Sequence, residues 1–96
     1  MAVYIMLSRI APSSDFKKPE EFREFADKVS EKIRKECPGV HWKESFVTLG
    51  RFDVVDILES DDIKQVERAA LIIRTQGHST TETMPATPWK EFLAGL

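Results

Sequence analysis

The chain holds one cysteine, two histidines and four glycines, and its charge has no dominant sign. Each scarcity removes a class of function. A lone Cys37 closes no intrachain disulfide and gives no Cys-x-x-Cys pair, which agrees with a reducing compartment. Cys37 falls at the expected end of a helix, where the macrodipole raises a thiol's pKa, so it reads as a buried structural thiol and not as a nucleophile. His41 and His78 have no His-x-His or Cys-x-x-Cys partner, so the residues offer no recognisable metal site and ask for no cofactor. The glycines form no phosphate-binding loop or Gly-x-Gly-x-x-Gly turn, and no Gly-x-Ser-x-Gly elbow is present. Fourteen basic residues are scattered among sixteen acidic ones for a net charge of −2, leaving no one-signed field to track a phosphate backbone. Residues 1–7 are apolar without a basic leader and meet Ser8 and Arg9 at once, too short a run for a signal core or a membrane span. Nucleic acid and membrane are therefore not expected as partners, and the expected location is cytoplasmic.

What is present describes one soluble domain over residues 1–96. At 42% hydrophobic and 31% charged, a chain of this length buries roughly 60–65% of its unfolded surface in a single core. Residues 3–9 read as a strand, apolar at nearly every position, and Ala11, Pro12, Ser13, Ser14 and Asp15 supply turn chemistry after it. Pro19 suits a first helical position, acidic Glu20, Glu21 and Glu24 favour the helix N-terminus, and Phe22, Phe25, Ala26, Val29, Ile33 and Cys37 recur at helical spacing until Pro38 and Gly39 stop it. Residues 40–49 and 52–59 read as a hairpin about Gly50. Ser60 is the expected cap of a second helix with Asp61 and Asp62 in its first turn. Ile63, Val66, Ala70 and Ile73 form its apolar face, and Gly77 the left-handed residue at its end. Residues 78–86 form a threonine-rich fourth strand. Beyond it Trp89, Phe92 and Leu93 lie at i, i+3 and i+4, an apolar edge too short to hold a helix without docking on something.

The order βαββαβ with right-handed crossovers puts the first and third strands in the middle of an antiparallel sheet and both helices on one face. The two middle strands are apolar on both sides, and a strand of that kind needs cover above and below. One face has no helix to cover it, so the sequence predicts a homodimer or higher oligomer, sheet against sheet.

Leu49-Gly50-Arg51-Phe52-Asp53-Val54-Val55, followed by Ile57-Leu58-Glu59-Ser60-Asp61-Asp62, resembles the signature of the GYD domain family, with Phe52 where the family has tyrosine. Tyr4-Ile5-Met6-Leu7-Ser8 and Thr81-Glu82-Thr83 extend the resemblance over most of the chain. It implies a ferredoxin-like α+β fold of the dimeric α/β barrel type and a single GYD-like domain, and it names no reaction. Gly50, Asp53 and Glu59 match the motif. Fold analogy adds two alternatives to an assembly domain: a cofactor-independent oxygenase or isomerase with an apolar cavity, and a ligand-sensing domain. By the same analogy a single histidine would be the ligand for an iron.

The candidate ligand-binding residues are Tyr4, Trp42, Glu44, Phe46, Asp53, Asp56 and His78; no catalytic residue is assigned. The four aromatic positions Tyr4, Trp42, Phe46 and Phe52 would either line a pocket between subunits or pack as interface core. Asp53 would accept backbone N–H bonds from Gly50 or Arg51, or serve as a general base at a cavity mouth. The hairpin register decides the rest. With a three-residue loop, Glu44 opposes Asp56 and two carboxylates stand side by side; with a two-residue loop, Glu44 meets Ile57.

Overall fold

The computed structural model describes residues 1–11 and 16–96; the turn expected over residues 12–15 lies outside them. Strand β1 (Ala2–Ile10) leads to helix α1 (Pro19–Glu36), then β2 (Val40–Val47), β3 (Val54–Ser60), α2 (Ile63–Gln76), β4 (Ser79–Ala86) and a short α3 (Trp89–Ala94). The strands form one antiparallel sheet in the order β2-β3-β1-β4. This is the ferredoxin-like α+β arrangement, with the two apolar strands at the centre.

Side chains on the helix-bearing face make the core. Tyr4, Met6 and Leu58 from the central strands meet Val66 of α2, while Ile33 of α1 and Cys37, which caps its C-terminus, meet Ala69 and Ile72. The buried face of α2 is thus Val66, Ala69 and Ile72, with Ala70 and Ile73 at its margin. Ile63, expected inside, is exposed because it opens the helix. The cap is Asp62, whose carboxylate accepts from the Lys64 N–H at 3.0 Å. Ser60, expected in that role, ends β3 instead. Its hydroxyl accepts from the Asp62 N–H and donates to the Gly39 carbonyl at 2.7 Å, tying the start of α2 to the turn before β2. The left-handed residue after α2 is His78 (φ 46°), one place later than expected. Gly77 has φ −92° and is small for another reason: a Cβ there would run into the Ile73 carbonyl.

The hairpin adopts both candidate registers. Val40, His41 and Trp42 face Ser60, Glu59 and Leu58, as a three-residue loop would require. A β-bulge at Lys43 then shifts the pairing by one, so that Glu44 faces Ile57, Ser45 faces Asp56 and Phe46 faces Val55. An extra residue in one strand moves everything beyond it to the other face. Residues 48–53 close the loop, with the Thr48 N–H donating to the Asp53 carbonyl and the Thr48 hydroxyl to the Phe52 carbonyl.

The other face carries no helix. Across it run two rows fixed by the strand register: Phe46, Val55, Leu7 and Glu82, then Glu44, Ile57, Ile5 and Met84. Phe46 is 51% exposed and Met84 44%. The side chains of α3 are exposed along its whole length, with Trp89 at 69%. Among the described residues no helix is long and apolar enough to cross a membrane.

Candidate ligand cleft beneath the first helix

Helix α1 leans on α2 and stands off the sheet. At its C-terminal half Ile33 belongs to a core cluster against which Val29, Val40 and Trp42 also pack. The space left beneath it is a cleft of about 820 Å³, open on one side. Phe22, Phe25, Ala26 and Val29 roof it because their spacing puts them on one helical face. Ile10, Val54 and Trp42 floor it from three strands. Phe16, Phe22, Phe25 and the His78 ring form an aromatic cluster at one end, with Phe16–Phe25 centroids 4.9 Å apart and Phe25–His78 5.2 Å.

The polar groups in this apolar cleft are few and placed together. Asp56, only 5% exposed, accepts from the Trp42 indole N–H at 2.9 Å and from the Ser45 hydroxyl at 2.6 Å. Both bonds fall on Oδ1, which leaves Oδ2 without a partner among the described residues. One strand over, Ser8 lines the same floor at 4% exposure, and its hydroxyl has no hydrogen-bond partner among the described residues. Ser8 faces Val54 in the register, so it is the diagonal neighbour of Asp56 on the same face, a separation of roughly 7 Å. A buried hydroxyl without a partner costs about 1–3 kcal/mol.

The structure joins two of the residues proposed from sequence, Trp42 and Asp56, and separates the others. Tyr4 belongs to the core against Val66. Glu44 and Phe46 lie on the helix-free face, so the bulge rules out a Glu44–Asp56 carboxylate pair. Asp53 accepts from the Ile10 N–H at 2.8 Å, while its own N–H donates to the Ser8 carbonyl; it clasps the end of β1, whereas Gly50 or Arg51 was the expected partner. His78 stacks at the aromatic end. Ser8, Ser45, Phe22 and Phe25 were not among the sequence candidates. For Ser8 a signal existed, a lone hydroxyl at the inward parity of an apolar strand; Ser45 was hidden by the bulge. Among the described residues no group of three or more His, Cys, Asp or Glu could hold a metal.

Away from the cleft, burial pushes the Cys37 thiol up, against a smaller opposing effect of Arg68. Glu36 is held below the ordinary carboxylate range by the hydrogen bond from Arg68, at 2.7 Å, and by Lys32 at 3.1 Å.

Fold and cleft together define a class: a small ferredoxin-like α+β domain with a cavity between its first helix and its sheet. Within it, the chain belongs to the GYD domain family, whose signature matches residues 4–95. The family's turn motif has a structural job here: Asp53 fastens the hairpin to β1, and Phe52 lies under the guanidinium groups of Arg9 and Arg51, at 5.7 and 5.8 Å. Nothing in the structure explains the glycine at 50, around which there is open space. Among curated proteins, the chain is 28% identical over 99 residues to a glutamine synthetase and cystathionine β-lyase binding protein of Thermus thermophilus, the match covering 100% of this chain and 99% of that one. The crystal structure of FFRP-DM1 is similar at 25% identity with a TM-score of 0.58, over 91% of this chain and 100% of that one. A hypothetical protein, PHS023 from Pyrococcus horikoshii, shares the fold at 23% identity with a TM-score of 0.55, over 92% of both chains.

Proposed function

We propose that this chain is a cytoplasmic, homo-oligomeric binding domain, in which the helix-free sheet face is covered by the same face of another copy. The observation that carries the reading is the apolar block at the middle of that face: Val55 and Leu7 beside Ile57 and Ile5, extended by Phe46 and Met84. Glu44 and Glu82 stand at its corners. An apolar centre with a polar rim is the anatomy of a protein interface. Four strands of seven to nine residues present a face of roughly 500 Å² in projection. The exposed apolar edge of α3 is suited to extend it. A binding role, as opposed to catalysis, is favoured by the relative from Thermus thermophilus, which is named for binding two enzymes, and by Asp53 being engaged in the fold.

The test is light scattering after gel filtration on the wild type and on Ile5→Glu. Ile5 lies at the centre of the face and outside both core clusters, so the variant keeps its circular dichroism. The expected result is a wild-type mass at a multiple of 11.0 kDa and a shift toward the single-chain mass in the variant. Equal masses in the two proteins would remove the reading.

A further inference from the structure

The cleft under α1 carries its own requirement, independent of what covers the other face. Its walls are aromatic and aliphatic, and its volume of about 820 Å³ falls within the ~300–1,000 Å³ of small-molecule sites. Its floor holds an acceptor, Asp56 Oδ2, which neither the Trp42 nor the Ser45 bond occupies. Beside it is the Ser8 hydroxyl, buried and unpartnered among the described residues. A fold does not gain from leaving a buried hydroxyl unpaired, so an unpaired one at the floor of a cavity points to a partner that arrives from outside.

We propose that this cleft binds a small apolar ring-bearing molecule through a hydroxyl group, which donates to Asp56 and accepts from Ser8. A hydroxyl is the simplest group that does both from one atom. A carboxylate ligand would meet Asp56 as a like charge, and a plain hydrocarbon would leave both floor groups unsatisfied. Trp42 is fixed edge-on to Asp56 by its indole N–H, so the ring that lines the cleft and the acceptor that reads the hydroxyl form one rigid unit. The proposal rests on the chain being a binding domain and not on its oligomeric state.

The test uses two probes that differ in one hydrogen-bond donor, 4-propylphenol and 4-propylanisole, titrated into the full-length ¹⁵N-labelled protein. The phenol is expected to produce saturable shifts at the Trp42 indole N–H and the Ser8, Asp56, Ala26 and Val29 amides, leaving the Trp89 indole unmoved. The anisole, which keeps an acceptor but donates nothing, is expected to bind at least about tenfold more weakly. Ser8→Ala should weaken phenol binding several-fold without lowering the unfolding temperature, because the deleted hydroxyl has no partner among the described residues. Asp56→Asn should erase the phenol-over-anisole preference; if that variant does not fold, Ser8→Ala and the probe pair carry the test by themselves. Equal affinity for the two probes, or shifts confined to α3 or the helix-free face, would overturn the proposal. So would failure of the phenol to saturate the wild-type protein. The assembly reading fails by a different measurement, the mass of Ile5→Glu, so the two can fail separately.

Discussion

Asp56 shows what a single residue owes to its neighbours. From the sequence it was one half of a candidate carboxylate pair with Glu44. In the structure it is a buried acceptor held by Trp42 and Ser45. Asp56 came into view through a three-residue-loop register that would pair it with Glu44, and Trp42 only as one of four aromatic positions. The identity of its partner was not readable, because that depended on one extra residue between Trp42 and Glu44. Cys37 was readable as a buried helix-end thiol, and it is 1% exposed; the cause of its raised pKa is burial, where the sequence had pointed to the helix dipole. Burial raises its pKa, leaving little thiolate at neutral pH. Native protein is therefore expected to react with iodoacetamide far more slowly than urea-unfolded protein, and equal rates would show the thiol to be accessible. Glu36 titrates below its ordinary value of 4.5 because Arg68 and Lys32 hold its charged form. The sign follows from that depression: the carboxylate adds stability that is fully present above the unfolded-state pKa and is lost as pH falls through the lower folded value. Glu36→Gln should flatten the acid limb of a stability–pH curve below about pH 4.5 and leave its slope near neutrality alone. A limb of unchanged steepness would mean the pair contributes nothing.

At the scale of elements, α1, the hairpin and the strand order followed from periodicity, breakers and crossover handedness. The boundaries moved where side chains competed for the same backbone groups. Ser60 looked like a cap and is a strand end, since its hydroxyl serves Gly39 and Asp62 at once. Gly77 looked left-handed and is close-packed against Ile73, so the positive φ falls to His78. The stand-off of α1 was out of reach of sequence, because Phe22 and Phe25 occupy the same helical face whether they fill a core or roof a cavity. Residues on both sides of Lys43 already sit in the registers a continuous strand would give them. Deleting Lys43 should therefore keep Glu44 opposite Ile57 and Ser45 opposite Asp56, and change stability by no more than about 1 kcal/mol, since the exposed Lys43–Glu59 pair at 3.8 Å is the main interaction lost. Cross-strand nuclear Overhauser contacts read this directly, and a contact between Glu44 and Asp56 would contradict it.

The whole molecule is less compact than its length requires. Its radius of gyration is 14.3 Å, against about 12.5 Å for a closely packed chain of this size, and it measures 50 Å along its longest axis. Two surfaces hold much of the apolar area that a single copy leaves bare, the helix-free face and the apolar edge of α3, with Leu49, Ile63 and Leu71 exposed singly elsewhere. Both surfaces are legible in the sequence as apolar residues in excess of what two helices could cover, and that excess is what predicts self-association. The cleft was not visible, because it is made by a distance between layers and not by any residue pattern. The central claim is that the bare face requires another copy of the chain, and sedimentation equilibrium of the wild-type protein tests it most directly. The account predicts a mass of two or more 11.0 kDa chains that persists on dilution into the micromolar range. A single species of 11.0 kDa at several hundred micromolar would contradict it.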